Sequence, residues 1–235
     1  MKGASRELTP FVADRLWTCW RPQRFYGLQM GTRMTLCRLS DGGLWVHSPV
    51  IPDEDLLDRI HALGPVRYIV APSKLHHLYV LDFARHFPEA EVHGSPDLPA
   101  KRPDVPWKGV LDDTPAPGWA PDLDQCLVRG NRYLDEVVFL HRETRTMIVA
   151  DLCEQANAEW PLASRIGGWI AGIYERHGPP LDMKLLFRHD RKATRRTVEH
   201  ILSWDFDRMI LSHGRLVESD AKRTFERAYA FALDW

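Results

Sequence analysis

Residues 67–80 read RYIVAPSKLHHLYV, from Arg67 to Val80. The first half, Arg67–Ala71, is a short apolar run with the β-branched Ile69 and Val70, the pattern of a strand buried on both faces. Pro72 and Ser73 stop it. Two adjacent histidines, His76 and His77, follow in the loop beyond the strand end, where α/β folds place their sites. Imidazole nitrogens there suit a metal ion. The same pair also reads as one helix-capping and one solvent-facing histidine.

The segments on either side set the order of elements. Met34–Leu39 (MTLCRL) and Leu44–Ser48 (LWVHS) flank Asp41-Gly42-Gly43 and predict a hairpin. Pro52 and Asp53 open a helix in which Leu56, Leu57, Ile60 and Leu63 recur at helical spacing, and Gly64-Pro65 ends it. Pro72–Phe87 reads as a loop entering a helix, Glu91–His93 as a short strand, and Ser95–Pro121 as a long irregular loop around one or two short elements. Val137–Leu140 (VVFL) and Thr146–Ala150 (TMIVA) predict a second strand pair. Helices are expected at Pro161–Tyr174, Thr194–Ser203 and Asp220–Leu233, with a strand at Met209–Leu211. Hairpins mixed with β-to-α crossovers do not describe a purely doubly wound parallel sheet. They predict an α/β protein of two mixed sheets packed together with helices outside.

The chain has 235 residues, 44% hydrophobic and 27% charged, with a formal net charge of −1. That balance gives no electrostatic drive toward nucleic acid or an anionic membrane. No apolar run reaches the roughly 18 residues of a membrane span, and Met1–Arg15 lacks the apolar core of a signal peptide. The four cysteines, Cys19, Cys37, Cys126 and Cys153, are far apart and form no CxxC pair. They read as buried, reduced thiols of a cytoplasmic protein. The nine tryptophans read as core or pocket walls. Arg188–Arg196 (RHDRKATRR) leads into a helix and reads as a solvated face, or else as a seat for a phosphate-bearing ligand.

Three further polar residues close apolar strands. Asp151 follows TMIVA and suits either a metal or the cap of the next turn. His213, in Ser212-His213-Gly214, follows MIL and suits either a ligand or a structural role. His141 follows VVFL and points to a surface or turn role beside Arg142 and Glu143.

This succession, a strand followed by a histidine cluster, a strand followed by aspartate and a strand followed by His-Gly, resembles the metallo-β-lactamase-like superfamily. More closely it resembles an uncharacterised branch, a domain family of unknown function. The resemblance runs from about Gly31 to Leu233 and is carried by MTLCRLSDGGLWVHSPV, RYIVAPSKLHHLYV, EVVFLHRETRTMIVADL and MILSHG. It implies a four-layer αβ/βα sandwich formed by a single domain over residues 1–235, with residues 1–30 as an extension packed on it, and metals at one edge between the sheets. Laid without gaps, the superfamily's HxHxDH motif puts Ser73 and Leu75 at the first two histidines, His77 at the aspartate and Leu78 at the last histidine. A slip of one residue brings in His76 instead. No histidine stands near Gly130-Asn131, where the next is expected, whereas Asp151 and His213 match the later ligands.

The resemblance therefore implies one metal rather than two. It would be held by His77, Asp151 and His213 with His76 as support or substitute, and Asp151 and His77 would carry the chemistry. Zinc suits such a set, with iron or manganese as alternatives, and a metal-free protein is the other outcome. The implied function is a mononuclear metal-dependent hydrolase of a small ester, amide or phosphoester. The alternative is an inactive, metal-free descendant binding a small-molecule ligand or a partner in the old cleft. A redox enzyme on the same fold wants carboxylate-rich ligation that is not seen, and nucleic-acid processing lacks both ligands and basic excess. The acid/base aspartate of the superfamily motif has no counterpart here.

Overall fold

The computed structural model describes residues 7–235, so Met1–Arg6 of the N-terminal stretch lie outside the described residues. The elements run β1 (Thr9–Val12), β2 (Leu16–Arg21), β3 (Arg24–Phe25), β4 (Leu28–Gln29), β5 (Thr32–Arg38), β6 (Leu44–His47), α1 (Glu54–Leu63), β7 (Val66–Ala71), α2 (Val80–His86), β8 (Glu91–Gly94), α3 (Leu98–Lys101) and β9 (Trp107–Val110). The second half continues with β10 (Leu123–Leu127), β11 (Val137–His141), β12 (Thr146–Val149), α4 (Leu162–Ile170), α5 (Leu181–Leu186), α6 (Arg191–Ser203), β13 (Arg208–Leu211) and α7 (Ala221–Leu233).

Two sheets carry the architecture. One has seven strands in the order β1-β2-β5-β6-β7-β8-β9, the other four in the order β10-β11-β12-β13. Both are mixed: β5–β6 and β11–β12 are antiparallel hairpins, whereas β6–β7, β7–β8 and β12–β13 are parallel. The expected α/β sandwich of two mixed sheets is what the chain forms. Residues 9–21, expected within an N-terminal extension, are β1 and β2 of the larger sheet, with Leu16–Arg21 paired along β5.

Side-chain alternation explains the four layers. In β6 and β7, Leu44, Val46, Ile69 and Ala71 face a core shared with Leu56, Ile60, Val80 and Phe83 of α1 and α2. Trp45 and Val70, one residue out of phase, face the other sheet. There they join Val137 and Phe139 of β11, Ile148 of β12 and Ile210 of β13. The opposite faces of those strands, Val138, Leu140, Met147, Val149, Met209 and Leu211, pack on Val198 and Ile201 of α6 and Phe225 and Tyr229 of α7. Each central strand is thus covered on both faces, which is why it reads as a continuous apolar run rather than an alternating one. The caps follow the sequence signals: Asp53 accepts the Leu56 N–H at the start of α1, and Gly42 turns the β5–β6 hairpin at φ 84°. All four cysteines are buried. Among the described residues no helix is long and apolar enough to cross a membrane.

Candidate metal site

Three side chains from three strand ends meet where the two sheets adjoin. His76 comes from the loop after β7, Asp151 from the turn after β12 and His213 from the turn after β13. His76 Nε2 lies 3.1 Å from Asp151 Oδ1 and 3.2 Å from His213 Nε2, and His213 Nε2 lies 3.4 Å from the same Asp151 oxygen. A tetrahedral ion bound at about 2.0–2.2 Å would set nitrogen and oxygen donors roughly 3.3–3.5 Å apart, so this triangle is close to the size that an ion requires.

Each ligand is held from behind. The His213 Nδ1 sits 2.6 Å from the Gly31 carbonyl. A carbonyl only accepts, so Nδ1 carries a proton, and in the neutral ring that leaves the Nε2 lone pair for an ion. His76 Nδ1 lies 2.7 Å from the Ser48 hydroxyl, which accepts from a protonated Nδ1 or donates to a bare one. Ser48 holds the left-handed backbone at φ 53°, costly for a residue with a Cβ, at the point where its hydroxyl meets the ring. The turn bearing His213 is clamped by the buried Arg33, whose guanidinium donates to the carbonyls of Leu211 and Gly214 on either side of it. Asp151 is placed by Glu136, a fully buried carboxylate that accepts the backbone N–H groups of Ala150, Asp151 and Leu152 at 2.6–2.8 Å.

The charges point the same way. Burial pushes the Asp151 carboxyl up, but His76 and His213 outweigh burial and hold it below its ordinary value. Burial and then the Asp151 charge push Glu136 up to about 8, against the pull of its three N–H donors. Asp151 Oδ2 is buried and has no hydrogen-bond partner among the described residues. Two imidazole nitrogens and a carboxylate oxygen this close together need a cation or a proton between them. The donor set, its spacing, the orienting hydrogen bonds and the orphaned Oδ2 all fit a single divalent ion with nitrogen and oxygen ligands.

The other expected residues lie elsewhere. His77 is not part of the triangle: its Nδ1 accepts from Arg102 at 3.0 Å. Burial, with Lys101 and Arg102 nearby, lowers its pKa to about 4. Of the two adjacent histidines, His76 is the one that meets Asp151 and His213. Ser73 bonds the N–H groups of Leu75 and His76 through its hydroxyl, and the resulting turn carries His76 toward the other sheet. His141 is buried at the opposite end of β11, bonded to the Thr144 hydroxyl in the turn that follows. In the basic stretch, Arg191 lies over the Trp235 ring and Arg195 pairs with Glu199. Of the tryptophans flanking the loops, Trp119 is buried between the sheets, Trp160 lines the cavity and Trp169 is exposed on α4.

Above the triangle lies a cavity of about 360 Å³. Leu28, Met30, Leu75, Trp160, Ile173 and Met183 give it apolar walls. One wall is α4, which turns its small residues inward. A Cβ on Gly168 would come within 2.1 Å of the Ala156 Cβ, and one on Gly167 within 2.8 Å of Leu28. Those two glycines let the helix approach the floor and the β3–β4 hairpin.

Comparison with known proteins bears on the fold. A family model described as Domain of unknown function (DUF4336) matches residues 13–167. No curated protein matches the chain. Among solved structures, a metallo-beta-lactamase from Pontibacter korlensis is similar over 97% of this chain and 99% of its own, at 15% identity and TM-score 0.64. One from Erythrobacter litoralis, with beta mercaptoethanol in its active site, is similar over 96% of both chains, at 14% identity and TM-score 0.66. The metallo-beta-lactamase FIM-1 from Pseudomonas aeruginosa, in a mono-zinc form, is similar over 97% of this chain and 94% of its own, at 12% identity and TM-score 0.60. At these identities the likeness shows the fold, which is that of the metallo-β-lactamases.

Proposed function

The chain belongs to the DUF4336 family, and on that premise we propose that it is a mononuclear metal-dependent hydrolase of a small ester, amide or phosphoester. The observation that carries the reading is the triangle of His76, Asp151 and His213, with donor atoms 3.1–3.4 Å apart and both rings oriented by Nδ1 contacts. Three protein donors with a fourth position open to a cavity make the pattern of a catalytic rather than a structural zinc site. Such an ion, when bound, supplies a Lewis acid that polarises a carbonyl or phosphoryl oxygen and acidifies water.

The protein's own part is to place and enclose the substrate. The apolar walls take a hydrophobic body and exclude bulk water, which strengthens every polar interaction on the floor. Asp151 is the acidic ligand, while His77, held by Arg102 and lining the cavity, would contact substrate rather than metal.

The test is turnover of 4-nitrophenyl acetate and bis(4-nitrophenyl) phosphate by the zinc-loaded chain, beside His213→Ala. Hydrolysis of at least one, lost in the variant, supports the reading. The second reading, a metal-free binder of a small apolar ligand, draws on the same apolar cavity. It gains if wild type and variant are equally inactive and neither takes up zinc.

A further inference from the structure

The cavity holds a second carboxylate that the triangle does not use. Glu154 lies three residues beyond Asp151. Its backbone is fixed by reciprocal hydrogen bonds with Gly178, both 3.0 Å. The side chain lines the cavity, and the residue is 6% exposed. Its Oε2 is buried with no hydrogen-bond partner, and it enters no ion pair among the described residues.

A carboxylate buried without donors is costly. Around Glu154 the carboxylates of Asp151, Asp182 and Glu136 add to that cost, and His213 opposes it. Glu136 shows what a structural carboxylate looks like in this molecule: three backbone donors and a turn held in place. Glu154 has nothing comparable on Oε2. It faces a cavity whose floor is the proposed ligand triangle, and it is not itself a member of that triangle.

We propose that Glu154 is the proton-handling residue of the hydrolytic reaction, an inference that rests on the hydrolase reading. The loop after β7, residues 72–79, holds no carboxylate, so the group must come from elsewhere, and Glu154 reaches the cavity from the segment after β12. For an ester, the oxygen of a water molecule bonds to the carbonyl carbon while one of its protons passes to Glu154. The carbon–oxygen bond to the leaving group then breaks. The departing alkoxide takes the proton from Glu154, which releases acid and alcohol and restores the carboxylate. Burial pushes the Glu154 carboxyl up to about 8, the direction that suits a group which must both take and return a proton near neutral pH.

The experiment compares zinc-loaded wild type with Glu154→Gln and Glu154→Ala, by zinc content, urea unfolding and turnover of 4-nitrophenyl acetate and bis(4-nitrophenyl) phosphate. Glu154→Gln is expected to keep its zinc and to unfold at the same or a higher urea concentration, because an unpartnered buried charge contributes no stability. Its kcat is expected to fall about 100-fold or more. Glu154→Ala, with the carboxylate's space vacated, should regain turnover when formate is added. The proposal is overturned if Glu154→Gln turns over within about threefold of wild type, well short of the usual general-base effect. Loss of zinc would make Glu154 a ligand, and a lower unfolding midpoint would make it structural. Either result also overturns the proposal. A wild type that binds zinc and turns over neither probe instead removes the hydrolase reading, and this inference with it.

Discussion

His76 and His213 meet at their Nε2 atoms, 3.2 Å apart, while the Nδ1 atoms on the far sides of the rings lie 2.7 Å from the Ser48 hydroxyl and 2.6 Å from the Gly31 carbonyl. The two rings come from strand ends in different sheets, so their meeting depends on how the sheets dock. Ser48 and Gly31 both belong to the larger sheet's connections, and they fix the rotation of both rings.

Ser48→Ala removes the partner of the His76 Nδ1 and leaves the ring free to rotate. An orienting contact of this kind typically accounts for 10–100-fold in metal affinity. We expect zinc affinity to fall by about that factor, with the unfolding midpoint of the metal-free protein little changed. Competition titration against a chromogenic chelator measures it. Unaltered affinity would show that Ser48 does not orient the ligand.

Glu136→Gln replaces a carboxylate oxygen facing the N–H groups of Ala150, Asp151 and Leu152 with an amide that has one acceptor fewer. The amide NH2 would face at least one of these backbone N–H groups, and a buried donor left unsatisfied costs about 1–3 kcal/mol, so the variant should lose about that much in urea unfolding. Zinc binding should weaken as well, since this turn sets Asp151. A stable variant with full zinc affinity would contradict the role given to Glu136.

His47 stands behind the site, stacked on Trp45 and edge-on to Phe139, with neither ring nitrogen bonded among the described residues. Burial, then the neighbouring His76, lowers its pKa from 6.5 to about 3, and Asp151 opposes. Between those two values the unfolded chain binds the extra proton. Stability from this group is therefore complete above pH 6.5 and is lost as pH falls toward 3. His47→Leu should flatten that dependence. Between pH 7.5 and 5.5 the metal-free variant should lose about 1 kcal/mol less than wild type. Parallel pH profiles would show that His47 is not held neutral.

Much of the fold was legible because the central strands are buried on both faces. Ile69–Ala71, Val137–Leu140 and Met147–Ala150 are unbroken apolar runs for that reason. Strands with polar interruptions were not legible. β10 (LDQCL) carries Asp124 and Gln125, and β2 (LWTCWR) ends in the buried Arg21, whose charge pairs with Asp53. Asp151 and His213 announced themselves by closing apolar strands. The choice between His76 and His77 did not, because adjacent side chains leave a turn in different directions, and the Ser73 turn that decides between them is tertiary. Glu136, Ser48 and Glu154 carry no local signal. Their roles depend on backbone groups and cavities formed by segments distant in sequence.

The most direct measurement is the metal content of the chain purified without chelator or affinity metal, and again after zinc loading, beside His76→Ala. A three-ligand site of the catalytic kind predicts about one equivalent in wild type and none retained in the variant. The contrary result is no metal in wild type even after loading, or equal metal in both proteins, which would remove His76 from the site and the single-ion centre with it.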